Sequence, residues 1–360
     1  MAAGLRDGGF RGDIVLIGAE RALPYERPHL SKGYLSGAVP RDRIGLRPPE
    51  QYSELGVELV LGRRVEDIGL DGRRVLLDDG KTIGWDLLCV APGSDARRLP
   101  GMEGAIYLRE LAAAERLKQR IDSGERLHIA GAGFIGCEVA AVARERGCDV
   151  SLDESLEQPL LRVLGPELGA FIAGVHRAHG VVLRLESTSE RADLVAVGSI
   201  PRAVNGLDAD GGILVDELGR TSAPDVFAAG DATRFHHPLY EARTRVEHFQ
   251  TAQRQGFAVG RTMAGTPTPY SEVPWFWSDQ YDVNLQYAGV GLPWDEVSVR
   301  GEMGRPPFSV FYLRARLPIA VAGVNDHHTV ARARHVMQAR ARVTKSQLED
   351  PKFDLRRALA

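Results

Sequence analysis

Cysteine is scarce in this 360-residue chain. There are three, Cys89, Cys137 and Cys148, far apart and with no CxxC pair. They cannot supply the four thiolates of an iron–sulfur cluster, and their spacing fits neither a redox disulphide nor a zinc knuckle. That scarcity suits a reducing compartment. No apolar run approaches the roughly 20 residues that cross a bilayer, and the opening MAAGLRDGGFRGD has no signal-peptide core. The expectation is a cytoplasmic protein without a membrane segment. Charge of one sign is lacking too: 45 Lys plus Arg against 48 Asp plus Glu leave a formal net charge of -3, which speaks against nucleic acid as the partner. The histidine pairs His236–His237 and His327–His328 lack a placed set of further ligands, and their side chains are expected to point apart, so no metal is expected.

Glycine is abundant instead, with 40 residues, and much of it ends short apolar strands. Residues 13–18 (DIVLIG) read as a buried strand, followed closely by Glu20. Pro24 and Pro28 limit regular structure in LPYERPHLSKGYLSG. Residues 57–61 read as a strand, 74–83 as a hairpin, and 87–91 as a strand or a core turn of helix stopped by Pro92 and Gly93. A helix is expected over 108–121, apolar at Leu111, Ala114, Leu117 and Ile121. Further helices are expected over 135–146, 167–178, 246–263 and 329–344, with strands at 127–130, 149–152, 181–185, 194–197, 213–215 and 227–231. In the 246–263 helix, Gly256 and Gly260 allow close packing. From Trp275 the chain turns rich in aromatics and valine, the mark of a separate α+β module.

The sharpest local signal is Gly131-Ala-Gly133-Phe-Ile-Gly136 between a strand and a helix. Gly131 permits the turn, Gly133 lets backbone approach a pyrophosphate, and Gly136 lets helix and strand pack closely; the helix N-terminus then faces the phosphates. Glu154, at the end of the next strand, is placed to accept from an adenosine ribose 2′-hydroxyl and would repel a 2′-phosphate, which favours NADH over NADPH. Asp153 sits oddly in that strand, where a charge weakens it or points outward.

Four further stretches accompany this motif in order: LPYERPHLSKGYLSG (23–37), TSAPDVFAAGDA (221–232), RVEHFQTAQRQG (245–256) and PWFWSDQ (274–280). Together they resemble the FAD-dependent NADH:ferredoxin reductases of bacterial oxygenase and cytochrome P450 systems, over essentially the whole chain. The resemblance implies an α/β fold with two Rossmann-like nucleotide-binding domains: an FAD domain (1–107 and 221–273) split by an inserted NAD domain (108–220), then a C-terminal α+β domain (274–360). It implies the cofactors FAD and NADH, hydride transfer to flavin, and single electrons passed to a small [2Fe-2S] ferredoxin. Lys32 is implied beside the flavin, paired with Glu138; Glu138 is also the one acidic residue between Gly131 and Arg144 and, on its own, a favourable first-turn acid. Asp231 is implied at the ribityl chain, or caps a turn. Glu20 is implied at the FAD ribose. Arg97 either helps hold FAD or is a solvated loop charge. Glu247 and His248 are implied beside nicotinamide and flavin, with no general-base role, since hydride transfer requires none; His248 read alone is a packing residue. Trp277 lies near the isoalloxazine or fills a core. Arg314, Arg316, Arg332, Arg334, Arg340, Arg342 and Lys345 either form a basic face for an acidic ferredoxin or a solvated helix surface. Monomer and dimer both remain open.

The chain also departs from the pattern. The family's first strand and FAD-binding GxGxxG are expected ahead of residue 1, so that residues 1–12 match only the later part of the following helix. The extra strand pair usual between Leu185 and Asp193 is missing. His29, Pro92 and Thr251 replace usual proline, threonine and asparagine, and Ser199 and Ile200 interrupt a glycine-rich loop. Other flavin reductases that work through a thiol beside the flavin are disfavoured, because no cysteine lies near Ser31. The alternative from another class is a non-catalytic or weakly active NAD-binding remnant of such a reductase.

Overall fold

The computed structural model describes residues 1–359. Backbone contacts divide the chain into two compact units. The first is built from Met1–Arg27, Arg41–Asp95 and Ile200–Ser271; the second from Pro28–Pro40, Ala96–Ser199 and the chain from Glu272 onward. Among the described residues no helix is long and apolar enough to cross a membrane.

In the first unit, Ile14–Gly18 pairs in parallel with Val57–Leu61, and Val226–Ala228 in parallel with Leu88–Val90, which settles 87–91 as a strand rather than a helical turn. Two three-stranded sheets accompany them, the antiparallel Val65–Gly69, Arg74–Leu77 and Thr82–Gly84, and the mixed Ile213–Val215, Thr233–His237 and Ala242–Thr244. Leu5, Ile14, Val57, Phe227, Val259 and Met263 share one core. That core brings the short helix Ala2–Asp7 onto Phe249–Met263 at backbone contact. A Cβ on Gly4 would lie 2.1 Å from the Phe257 carbonyl oxygen, and one on Gly260 2.3 Å from that of Met1. The Phe249–Met263 helix starts three residues later than its sequence pattern suggests. His248 is extended (φ -108°, ψ 135°) and caps it, so Glu247 lies on the approaching strand-like segment.

The second unit contains a four-stranded parallel sheet in the order Val182–Arg184, Val150–Asp153, Leu127–Ala130, Leu194–Val195. In chain order this is 3-2-1-4, the arrangement of a dinucleotide-binding half. Its helices are Leu111–Asp122, Phe134–Glu145 and Leu161–Ala178. The first begins later than expected because Glu110 is still extended; the last begins earlier, running across a break at Gly165 (φ 77°) just before Pro166. No strand is described between Arg184 and Leu194, in agreement with the shortened sequence there.

The same unit carries a five-stranded antiparallel sheet, ordered Trp275–Gln280, Val283–Gly289, Leu317–Val324, Arg305–Arg314, Glu296–Glu302. The final helix expected over 329–344 is instead His327–Gln338, opened by Asp326 accepting from the Thr329 N–H. Arg340 then adopts a left-handed φ of 50° and the helix cannot continue. A short helix Lys345–Glu349 follows, with Thr344 and Gln347 forming a capping box.

One side chain ties together that helix and the tail beyond it. Arg300 is 7% exposed and donates to the carbonyls of Gln347 (3.3 Å), Leu348 (3.2 Å), Pro351 (3.1 Å) and Phe353 (2.7 Å). Replacing Arg300 with leucine leaves those acceptors without their donor in a site closed to water. It is expected to cost about 2 kcal/mol in chemical unfolding and to open the chain to trypsin at Lys345 and Lys352 before the rest of the unit.

Candidate active site

The Gly131 turn has the stereochemistry its sequence demands. The strand Leu127–Ala130 ends and Gly131 takes φ 100°, where a Cβ would lie 2.6 Å from the Ala196 carbonyl oxygen. Gly133 is the N-cap of Phe134–Glu145, and the nearest atom to its virtual Cβ is 3.7 Å away, so this surface stays open to an approaching group. A Cβ on Gly136 would sit 2.0 Å from the Gly131 carbonyl oxygen. The first-turn N–H groups of such a helix point outward for lack of earlier carbonyls, which is the donor set a pyrophosphate requires. Glu154 stands at this turn. Its carboxylate accepts from the N–H of Ala132 (2.8 Å) and of Leu156 (3.0 Å) and from the Ser155 hydroxyl (3.1 Å). An acceptor here takes a ribose hydroxyl and repels a phosphate, so these residues fit NAD.

Asp153 corrects an expectation. It does not point outward; it is 5% exposed and accepts from Arg184 (2.7 Å), from His128 Nε2 (3.0 Å) and from the Ser189 hydroxyl. Burial works to raise this carboxyl, but the hydrogen bonds from Ser189, His128 and Arg184 outweigh it and hold the group below its usual range. A carboxyl lowered in the folded state lends stability that is present above the ordinary value of 3.8 and is lost as the pH falls through the lower folded value. Asp153→Asn is therefore expected to lose stability at neutral pH and to show a shallower decline of unfolding free energy below about pH 4, measured by urea titrations across that range.

The second cluster is built on Lys32 and Glu138. Lys32 lies between the 3-10 turn Arg27–Ser31 and the short helix Gly33–Ser36, and Glu138 sits in the first half of Phe134–Glu145. Lys32 Nζ is 2.7 Å from Glu138 Oε2, with side chains 14% and 4% exposed. Ser31 donates to the same oxygen (2.5 Å) and Ser278 to the other (2.7 Å). The strand Trp275–Gln280 alternates: Phe276, edge-on to Phe134 at 4.6 Å, shares a face with Ser278 and Gln280. Trp277 lies on the opposite face, half-buried, 5.9 Å from Trp275. Ser31 and Ser278 escape a reading of the sequence for charged or aromatic groups. The available signal is two small polar side chains with period 2 in an otherwise aromatic strand.

In the first unit, Glu20 follows Ile14–Gly18 and its carboxylate accepts from Tyr25 (2.7 Å) and Arg27 (2.8 Å). Asp231 follows Gly230 (φ 81°), and its backbone carbonyl accepts from Arg245 (3.3 Å). Glu247 accepts from the Ser94 hydroxyl (2.8 Å) and pairs with Arg245 (2.8 Å). Desolvation pushes the His248 imidazole down to about 4 against the pull of Glu247, so the ring is neutral at pH 7. In the second unit Arg97 is exposed, its backbone N–H donating to Gly198. Glu20 and Asp231, carboxylates at two strand ends, suit the hydroxyls of a ribose and a ribityl chain. A strand–glycine turn–helix nest for the FAD pyrophosphate does not occur among the described residues of the first unit.

All three cysteines are free, and burial pushes their thiols up, Cys89 to about 11. No thiolate stands ready at neutral pH. The His327 and His328 rings lie 4.1 Å apart rather than diverging. Within the basic set, Arg334 covers the Trp275 ring at 5.2 Å, and Lys345 pairs with Glu296 at 2.9 Å.

Residues 1–256 match the family profile described as Pyridine nucleotide-disulphide oxidoreductase, and residues 275–359 the one described as Reductase C-terminal. Rhodocoxin reductase of Rhodococcus erythropolis is 36% identical, covering 100% of this chain and 91% of its own. Putidaredoxin reductase CamA of Pseudomonas putida is 33% identical, covering 100% and 94%. Among solved structures, the covalent putidaredoxin reductase–putidaredoxin complex superposes with a TM-score of 0.94 at 32% identity, over 99% of this chain and 94% of that one. The ferredoxin reductase for the CYP199A2 system of Rhodopseudomonas palustris gives 0.91 at 32%, over 100% and 96%.

Proposed function

The chain belongs to the pyridine nucleotide-disulphide oxidoreductase family, and from that premise we propose that it takes hydride from NADH and delivers single electrons to a small [2Fe-2S] ferredoxin serving an oxygenase or cytochrome P450. The observation that carries this is the Lys32–Glu138 pair: an ammonium held in place, with the one adjoining thiol, Cys137, buried and pushed up by burial and by Glu138, suits flavin chemistry without a disulphide. Bound FAD supplies the exchange between a two-electron donor and one-electron acceptors. The protein's part is to hold and orient. Gly131, Gly133 and Gly136 cradle the NADH pyrophosphate, and Glu154 takes its adenosine ribose. In the first unit Glu20 and Asp231 hold FAD, with Glu247 and His248 beside its ring. Lys32, fixed by Glu138, presents positive charge where electrons arrive. In this reading residues 1–107 and 221–273 serve FAD, 108–220 NAD, and 274–360 form the C-terminal module.

Purified protein mixed with FAD and freed of excess is expected to stay yellow, to bleach with NADH, and to reduce an added [2Fe-2S] ferredoxin. Folded, colourless protein that still binds NADH overturns the proposal. It would favour the second reading, a non-catalytic NAD-binding chain. Arg314, Arg316, Arg340 and Arg342 are exposed and, with Arg332, form the candidate docking face. Reversing Arg340 and Arg342 to glutamate is expected to slow ferredoxin reduction about tenfold at low salt, and less at high salt. An unchanged salt dependence removes that face.

A further inference from the structure

Buried polar side chains run on from Glu138 in a single file. Ser278 donates to Glu138 Oε1 (2.7 Å), and Gln280 Nε2 donates to Ser278 Oγ (3.1 Å). Gln280 Oε1 faces His176 Nε2 (3.0 Å), and His176 Nδ1 faces the Tyr281 hydroxyl (3.3 Å). Ser278, Gln280 and His176 are completely buried. Tyr281 is half-buried and stacks on His179, centroids 3.6 Å apart and planes within 6°. His176 belongs to Leu161–Ala178, and Ser278 and Gln280 to Trp275–Gln280.

The hydrogens in this file have one arrangement. A carboxylate only accepts, so the single hydroxyl hydrogen of Ser278 points at Glu138. Ser278 Oγ is then left to accept, so Gln280 turns its NH2 toward Ser278 and its oxygen toward His176. That oxygen requires a donor, so Nε2 of His176 carries the ring hydrogen. Burial, helped by His179, lowers His176 to about 4, so at pH 7 the ring is neutral and Nδ1 accepts from Tyr281.

We propose that Ser278, Gln280 and His176 are positioning residues, a one-way file of hydrogens that fixes the Glu138 carboxylate against Lys32. The file positions and does not conduct. An amide passes a proton only through its imidic-acid form, so Gln280 interrupts any relay between Glu138 and Tyr281. The role in catalysis rests on the hydride-transfer function proposed above; the order of the hydrogens does not.

Glu138→Gln is the decisive variant. Lys32 is a donor only, so the new amide turns its oxygen to Lys32 and its NH2 to Ser278. Ser278 must then donate to Gln280, Gln280 flips, and its NH2 meets His176 Nε2. The ring hydrogen therefore moves to Nδ1. In 15N spectra of histidine-labelled protein at pH 7, with His176 identified by its loss in His176→Gln, the wild type is expected to show hydrogen on Nε2 and Glu138→Gln to show it on Nδ1. Hydrogen on Nδ1 in the wild type, or the same tautomer in both, overturns the file. For the catalytic role, Gln280→Leu is expected to slow NADH oxidation roughly tenfold, the scale of losing a supporting hydrogen-bond partner, while KM for NADH stays within about twofold. An unchanged rate in folded Gln280→Leu protein removes that role. If the wild type oxidises no NADH, the proposed function fails by itself, and the tautomer comparison still judges the file.

Discussion

Glu138→Ala protein, loaded with FAD and mixed rapidly with NADH, is expected to bleach at least about 100-fold more slowly than the wild type, the scale set by removing one preorganised charge-stabilising group. Glu138 holds Lys32 at 2.7 Å, and two serines fix both carboxylate oxygens. Without the carboxylate the ammonium no longer has a fixed position. The fold should suffer less. Lys32 keeps 14% of its side chain exposed, and a lysine stem can swing its charge to water, so an unfolding loss of only about 1–2 kcal/mol is expected, below that of a fully trapped partner. Stopped-flow absorbance and urea titration on the same preparation separate the two effects. A bleaching rate equal to the wild type would take Glu138 out of the reaction.

The second large effect is expected at Gly136. Its virtual Cβ lies 2.0 Å from the Gly131 carbonyl oxygen, a backbone atom that no rotamer change can move aside. Gly136→Ala must push the helix Phe134–Glu145 away from the turn. That helix bears Glu138 as well as the turn's N–H groups, so the shift reaches both halves of the second-unit chemistry. The loss of stability is expected to exceed about 3 kcal/mol, the upper end of ordinary overpacking, with NADH binding weakened beyond tenfold. Gly133→Ala is the control. With 3.7 Å of clearance its fold should persist, and only NADH binding should fall. Equal thermal stability of Gly136→Ala and wild type would contradict the packing described.

Much of this was legible in the residues. Strand–turn–helix around Gly131 follows from local stereochemistry, which a short window contains in full. The Lys32–Glu138 pairing joins residues more than a hundred positions apart and became readable through family resemblance; once in contact, it has the geometry expected of it. The burial of Asp153 is not legible in its own strand because its partners come from three other places in the chain, Arg184, His128 and Ser189, and a window around one strand sees none of them. The last helix is shorter than its sequence pattern for a related reason. Alternating arginines and alanines over 331–342 carry helical character throughout, and the stop lies in the left-handed turn at Arg340, not in any proline or glycine. Ser278, Gln280 and His176 carry no such signal, since nothing about a lone serine, glutamine or histidine announces a line of hydrogen bonds between a helix and a distant strand.

Arg300 grips the tail by main-chain oxygens, which every amino acid offers alike. The grip itself makes no demand on the side chains between Gln347 and Phe353, although other contacts do: Gln347 closes the capping box, Glu349 accepts from Ser298, and Leu348 is buried. Exposed positions outside those contacts, such as Lys352, are free to drift in composition, or to be rewritten by an engineer with a labelling handle, while the path stays the same.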